Sequence, residues 1–586
     1  MKKILCFLIL IVSSIAFTGC ELLFDVLIND NNQTRTIEVS KNIGDVYLIK
    51  VNDTNYEIEY EKTGYVASNE KENDLITDYF NSFDENSSFM NLGKYGPQES
   101  SFVSNFNSSL ALKNQNKINR SINNDEDEDT ERVIVPDNSK IGDKMDYWYI
   151  AEEDNGKEIY KFSEATCQYV GDYCTVWYID DIDETNNGFN LSLTDFGYGK
   201  GKDGADCSFS TLGKKFDSIC ELEEKYLGKH TYIESKNKYR LFDNIEDVFG
   251  MINPNEKITI LVADLYGDAV KDLNGGVYGY FYSGDMFDVD QDIQNYENFY
   301  TNGIQMLYLD SYFYKYDTLS MYSTIVHEYN HLLNFVQKTV KYGAFSQTWF
   351  TEMLSLTAED MFEDYLDIPE DKGPQGRLPY FNSYPYYGFT KWGTGQEVYI
   401  SYANAYAFGA FLARNYGGLD IISQIATSRY IDTNAIENAT GQSMSTLIEN
   451  FAKTFLYTDK DYTNSRTKVY SLYKSANMNN TDGLNFKPIK LKEIQSCTEV
   501  EVPVGVEFDR YDIEENKFYQ TIKGPVILRS KPNQKDKISI IKAPYDVSVT
   551  PLLPQGFSVH YVGTNISSFD LKYNPYYSIE YSTVVK

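Results

Sequence analysis

The sequence predicts an α+β fold: a mixed domain of strands and helices in the middle of the chain, with small β-rich modules on either side. Three patterns predict it. Short continuous apolar runs at 174–179 (CTVWYI), 258–264 (ITILVAD) and 306–310 (MLYLD) have the length and the β-branched and aromatic content of buried strands. Residues 322–336 and 349–362 carry apolar side chains at helical spacing, and no Pro or Gly interrupts 318–341. Before residue 60 and after residue 480 the pattern turns to period-two alternation punctuated by turn residues. At 586 residues the chain exceeds what one core organises, so a division into domains is expected.

The elements follow in order. Lys2 and Lys3, an apolar run to Phe17, and then Thr18-Gly19-Cys20 read as a signal peptide over 1–19. The pattern resembles a bacterial lipobox, which implies that Cys20 is lipidated and that the protein meets a membrane through that lipid anchor. The other reading is an ordinary secretory signal and a soluble exported product. No later run approaches the roughly 18 apolar residues of a spanning helix. Residues 20–112 read as a β-rich module, with alternation at Ile37-Val39 and Tyr47-Ile49-Val51. Residues 113–145, poor in apolar side chains and ending in an acidic run, read as a linker or a propeptide boundary. Residues 146–480 form the mixed domain, and 481–586 a β-sandwich-like module, with turns at Gly524-Pro525 and Gln555-Gly556. A net charge of −33 argues against nucleic acid and against adsorption to anionic lipid. In an oxidising compartment the close pairs Cys167 with Cys174 and Cys207 with Cys220 are expected to be bridged, leaving Cys497 free.

The chemistry concentrates at His327-Glu328-Tyr329-Asn330-His331. With only four histidines in the chain, a chance H-E-x-x-H is expected at roughly two in a thousand. On a helix the four-residue spacing sets both imidazoles on one face, where they can share an ion, and Glu328 beside them can take a proton from water. A catalytic zinc wants a third protein ligand. His230 and His560 stand alone in unrelated contexts, so a carboxylate is the better candidate. Glu352, in the next helical pattern, can fold back onto the first helix, and Glu359, seven residues later on the same face, can orient a ligand imidazole. The run Asp288-Val289-Asp290-Gln291-Asp292 starts like a calcium loop, but Ile293 and Phe299 stand where Gly and Glu are needed, so calcium is not supported.

Here the chain resembles the gluzincins, and among them the hyicolysin-like metallopeptidases, whose signature is H-E-x-x-H followed by a W-L-N-E-G-L-S-type helix. His327 to Asn334 and Trp349-Phe350-Thr351-Glu352-Met353-Leu354-Ser355 match it in order and spacing. The resemblance implies a thermolysin-like, gluzincin-type catalytic domain. It also implies one zinc ion on His327, His331 and Glu352, with Glu328 as general base, and hydrolysis of peptide bonds in proteins or peptides outside the cytoplasm. Gluzincins share the charge on the substrate oxygen with a Tyr or His donor; the matching segment opens at Tyr402, the first choice, with Tyr406 one turn on as the second. Thr351 and Met353 depart from the usual Asn and Gly, and loss of that Gly is expected to reshape the pocket floor. The competing classes are an inactive peptidase-fold lipoprotein serving adhesion and a zinc hydrolase of a non-peptide bond.

Overall fold

The computed structural model describes residues 33–39, 43–58 and 65–67, residues 106, 110, 113 and 114, most of 134–491, and segments of 494–586. The expected signal peptide over 1–19, Cys20, and residues 115–133 of the expected linker lie outside the described residues. Three strands open the described chain, β1 (Gln33–Glu38), β2 (Asp45–Asn52) and β3 (Tyr65–Ala67). The middle contributes β4 (Lys144–Asp154), β5 (Lys157–Val170), β6 (Cys174–Tyr178), β7 (Ile258–Ala263), β8 (Gly279–Tyr280) and β9 (Met306–Asp310). Its principal helices are α1 (Phe209–Leu227), α2 (Thr318–Asn334), α3 (Thr348–Phe362) and α4 (Val398–Tyr416). Near the carboxyl end come β10 (Ile540–Lys542), β11 (Phe557–Thr564), β12 (Ser568–Tyr573) and β13 (Ile579–Val585).

The middle strands form one sheet in the order β4-β5-β6-β7-β9-β8. The apolar runs are its centre: β6, β7 and β9 lie parallel, every residue buried, which is why they lack the alternation of a half-exposed strand. Trp177 faces Leu261, Leu261 faces Tyr308, and Tyr308 faces Tyr280 of the antiparallel edge strand β8. Helix α1 packs on β5, β6 and α2, while α2 lies against β8 and β9. Gly213 permits the first of these contacts, since a Cβ there would stand 2.0 Å from the Tyr169 ring. Asp310 ends β9 by accepting from the Leu265 amide at 2.8 Å and from the Phe313 amide at 2.8 Å, which turns the chain into the helices. After Asn334 the helix continues as a π-helical turn, Phe335–Val340.

The flanking modules are not separate. β2 lies between β11 and β13 in a four-stranded sheet completed by β10, and β12 lies between β1 and β3 in a second sheet. Period two gives β2 two buried faces: Val46 and Leu48 pack with Phe569 and Leu571 inside the sandwich, and Ile49 and Val51 face the core of the middle domain. Two expected boundaries therefore change. Strands β1 to β3 and β10 to β13 form one β-sandwich, because both hydrogen-bonding edges of β2 are met by strands from the far end of the chain. Residues on both sides of the expected boundary at 112/113 pack on the middle domain: the Phe106 ring lies 5.2 Å from Tyr282, and Lys113 Nζ donates to the Leu241 carbonyl at 2.9 Å. The linker likewise ends sooner than residue 145, since β4 begins at Lys144.

The expected disulfides are a second correction: Cys167, Cys174, Cys207 and Cys220 are four buried free thiols. The register sets Cys167 opposite Trp177, three residues past Cys174, an offset of roughly 10 Å along the strand. Cys207 precedes α1 and Cys220 lies well inside it, roughly 15–20 Å further along the axis at 1.5 Å per residue. Both separations exceed the Cα spacing that a disulfide accepts. Among the described residues no helix is long and apolar enough to cross a membrane.

Candidate metal centre

Helices α2 and α3 pack together, and their contact brings His327, His331 and Glu352 to one point. The two imidazoles lie on one face of α2, ring centres 4.7 Å apart. His327 Nε2 is 3.1 Å from Glu352 Oε2, and His331 Nε2 is 3.4 Å from Glu352 Oε1. Close as they are, Glu352 Oε1 and Oε2 and His331 Nε2 are buried without a hydrogen-bond partner. Donor atoms that crowd together without bonding to one another are arranged for a guest. A carboxylate and two imidazoles, oxygen and nitrogen ligands of intermediate softness, suit zinc, so the residues fit the ion that their pattern implies.

The charges agree with this. Burial alone would raise the pKa of Glu352, but the His331 and His327 imidazoles outweigh it and hold the carboxyl far below its ordinary value. Burial alone would lower His327, yet Glu352 and Glu359 hold that imidazole well above its ordinary value. Glu359 Oε1 stands 2.7 Å from His327 Nδ1, and its other oxygen accepts from Ser323 Oγ at 2.5 Å, so the ring faces Glu352 through Nε2. Glu328 is buried beside the pair. Burial pushes its carboxyl up from the usual range, with the two imidazoles and the Phe281 backbone, just beyond β8, working against that shift.

The remaining candidates have neighbours of their own. Tyr402 lies near the start of α4, buried, with the Arg377 guanidinium 4.5 Å from its ring centre and Trp392 edge-on at 5.1 Å. Tyr406 is buried among Asp360, Arg414 and Glu363, and burial raises its hydroxyl well above the ordinary value. Met353 is turned toward the crossing of α3 with α4, next to Gly409. His560 sits in β11, 2.8 Å from Ser558 Oγ.

His230 is not alone, contrary to the expectation. Its Nδ1 meets the Glu224 carboxylate, and the Tyr329 hydroxyl, on the rear of α2, lies 3.3 Å from that Nδ1, 3.4 Å from Glu224 Oε1 and 3.0 Å from Cys220 Sγ. The Tyr329 hydroxyl thus links Cys220, Glu224 and His230 by hydrogen bonds and ties them to the rear of α2. Sequence reasoning missed this group because its members come from α1, the loop after it and α2.

No family model matches the chain. Over 246 residues the chain is 27% identical to a protein of Staphylococcus hyicus described as "Neutral metalloprotease ShpI". The match takes in 37% of this chain and 52% of that protein, so the chain spans about half the length of the relative it matches.

Proposed function

We propose that the chain is a zinc-dependent peptidase of the gluzincin type, exported and held at the cell envelope by a lipid on Cys20. The observation that carries the reading is the fully buried Glu352 carboxylate, unbonded between two imidazoles. The similarity to a metalloprotease supports it. Zinc held by His327, His331 and Glu352 would supply Lewis acidity, polarising the scissile carbonyl and making water easier to deprotonate. Glu328 takes a proton as the water oxygen bonds to the carbonyl carbon, and gives one to the amine nitrogen as the C–N bond breaks. Its raised pKa suits both halves of that exchange. Glu359 keeps the His327 ring in the tautomer whose Nε2 is free. Tyr402 is the proposed donor to the oxyanion. The similarity to a metalloprotease favours peptides over other substrates.

The test is metal analysis and casein digestion on one variant series. One zinc per chain is expected, with activity lost on chelation and restored by zinc. Glu352→Ala should lose metal and activity together. Glu328→Gln should keep metal and lose turnover, because an amide cannot accept the proton. Tyr402→Phe should lower kcat by roughly a hundredfold with KM little changed. A Glu328→Gln chain that digests casein at the parent rate would end the reading, and unchanged kcat in Tyr402→Phe would move the oxyanion donor elsewhere.

A further inference from the structure

The group behind α2 is a ligand set in its own right. Cys220 and Glu224 stand four residues apart on α1, which puts both side chains on one face of that helix. His230 joins them because Gly228 turns the chain at a φ of 99°. The loop that carries it is held from two sides: Gln337 Nε2 donates to the Lys229 carbonyl at 2.7 Å, and Gln305 Nε2 to the His230 carbonyl at 3.1 Å. Cys220 and His230 are buried, and Glu224 is partly so.

The sulfur, a carboxylate oxygen and a ring nitrogen of these three residues all lie within 4.8 Å of one another. The Tyr329 hydroxyl makes a fourth corner, 3.0 Å from Cys220 Sγ, 3.3 Å from His230 Nδ1 and 3.4 Å from Glu224 Oε1. Ligands held 2.0–2.3 Å from a tetrahedral ion stand roughly 3.3–3.8 Å apart, so those three edges need to shift by about half an ångström or less. The edge between His230 and Glu224 is tighter, since ring and carboxylate touch directly. Glu224 is the member with exposed surface, so it is the one able to draw back. Charge selects the guest. A thiolate and a carboxylate carry two negative charges, which a divalent ion cancels, and the imidazole and phenol add neutral donors. Sulfur and nitrogen in the set favour zinc or cobalt over calcium and magnesium, which take oxygen.

We propose that Cys220, Glu224 and His230, with the Tyr329 hydroxyl at the fourth corner, form a second divalent-metal site that fastens α1 to the rear of the helix bearing His327 and His331. All four corners are protein groups, the mark of a structural rather than a catalytic site. Filling it displaces the thiol proton and parts His230 from Glu224, so this ion enters on titration, after the one zinc of the catalytic centre.

Cobalt is the probe, because the His327, His331 and Glu352 centre contains no sulfur and cannot give a thiolate-to-cobalt charge-transfer band. The metal-free full chain, Cys220→Ser, His230→Gln, Cys174→Ser and Glu352→Ala are titrated with cobalt under a non-thiol reductant, and bound metal is counted by elemental analysis. The parent should take up two ions and show the band. Glu352→Ala should take up one and keep the band, whereas Cys220→Ser and His230→Gln should take up one and lose it. Cys174→Ser should match the parent. In Glu352→Ala, saturating metal should raise the melting temperature, and Cys220→Ser added to that variant should abolish the rise. A parent without the band, or a band of parent intensity in Cys220→Ser, would overturn the site and leave the catalytic reading untouched. If Cys220→Ser fails to fold, His230→Gln decides by the same criterion. A band in the parent with no ion lost in Glu352→Ala would count against the catalytic zinc and leave this site standing.

Discussion

Asp285 shows how much a single carboxyl can hold in this domain. It is fully buried and accepts from Tyr308 Oη at 2.6 Å, from the Asn302 amide at 2.6 Å and from Thr301 Oγ1 at 3.0 Å, which ties the turn after β8 to β9. Burial outweighs these three donors and pushes its pKa from 3.8 to about 6. Between those two values the folded chain binds a proton that the unfolded chain has lost. The contribution of Asp285 to stability is therefore fully present below 3.8 and is lost as the pH rises through about 6. Across that window the unfolding free energy of the parent relative to Asp285→Asn should fall by roughly 1.4 kcal/mol per pH unit. Denaturant titrations at several pH values would show it, and a flat difference would mean that Asp285 stays ionised throughout. Residues like this were invisible in the sequence. The grouping of His327, His331, Glu352 and Glu359 was legible because each pair shares one helix, where spacing alone fixes the face; Asp285 and His230 are held by partners on other elements.

At the scale of elements, the crossing of α3 and α4 sets where Glu352 stands. Gly409 allows it: a Cβ there would fall 2.0 Å from Thr357 Oγ1 and 3.1 Å from the Met353 carbonyl, and that hydroxyl is itself folded back onto Met353 O at 2.6 Å. Nearby, Arg414 clasps Asp360 through two bonds of 2.6 and 2.9 Å with both groups buried, so the helices cannot part at one end to relieve pressure at the other. Gly409→Val should thus cost about 1–3 kcal/mol in stability. It should also weaken zinc binding, since Met353 adjoins Glu352; unfolding curves and chelator competition on the same variant would separate the two effects, and parent-like zinc affinity would show that Glu352 is held independently of the crossing. The helices could be read from apolar periodicity, and the buried strands from short continuous apolar runs. The cysteine pairs could not, because closeness in sequence says nothing about strand register or about rise along a helix.

At the scale of the molecule, the middle domain is an insertion. Its sheet and helices enter after β3 and leave before β10, and the sandwich that frames them is made from both ends of the chain. Alternation revealed the strands of that sandwich, but pairing β2 with β11 and β13 joins residues some 500 apart, a distance over which local pattern carries no information. Topologically, a cut anywhere within 115–133 divides the chain into two polypeptides that remain one particle. β2 is hydrogen-bonded along both edges and buried on both faces, so the amino-terminal piece works as a plug in a socket built by the other piece. A chain nicked there should elute as a single species under native conditions and give two bands only when denatured. Where a lipid holds the amino-terminal piece, the metal centre stays tethered through strand pairing after the covalent link is gone, so maturation by proteolysis and retention at a membrane are compatible in this architecture.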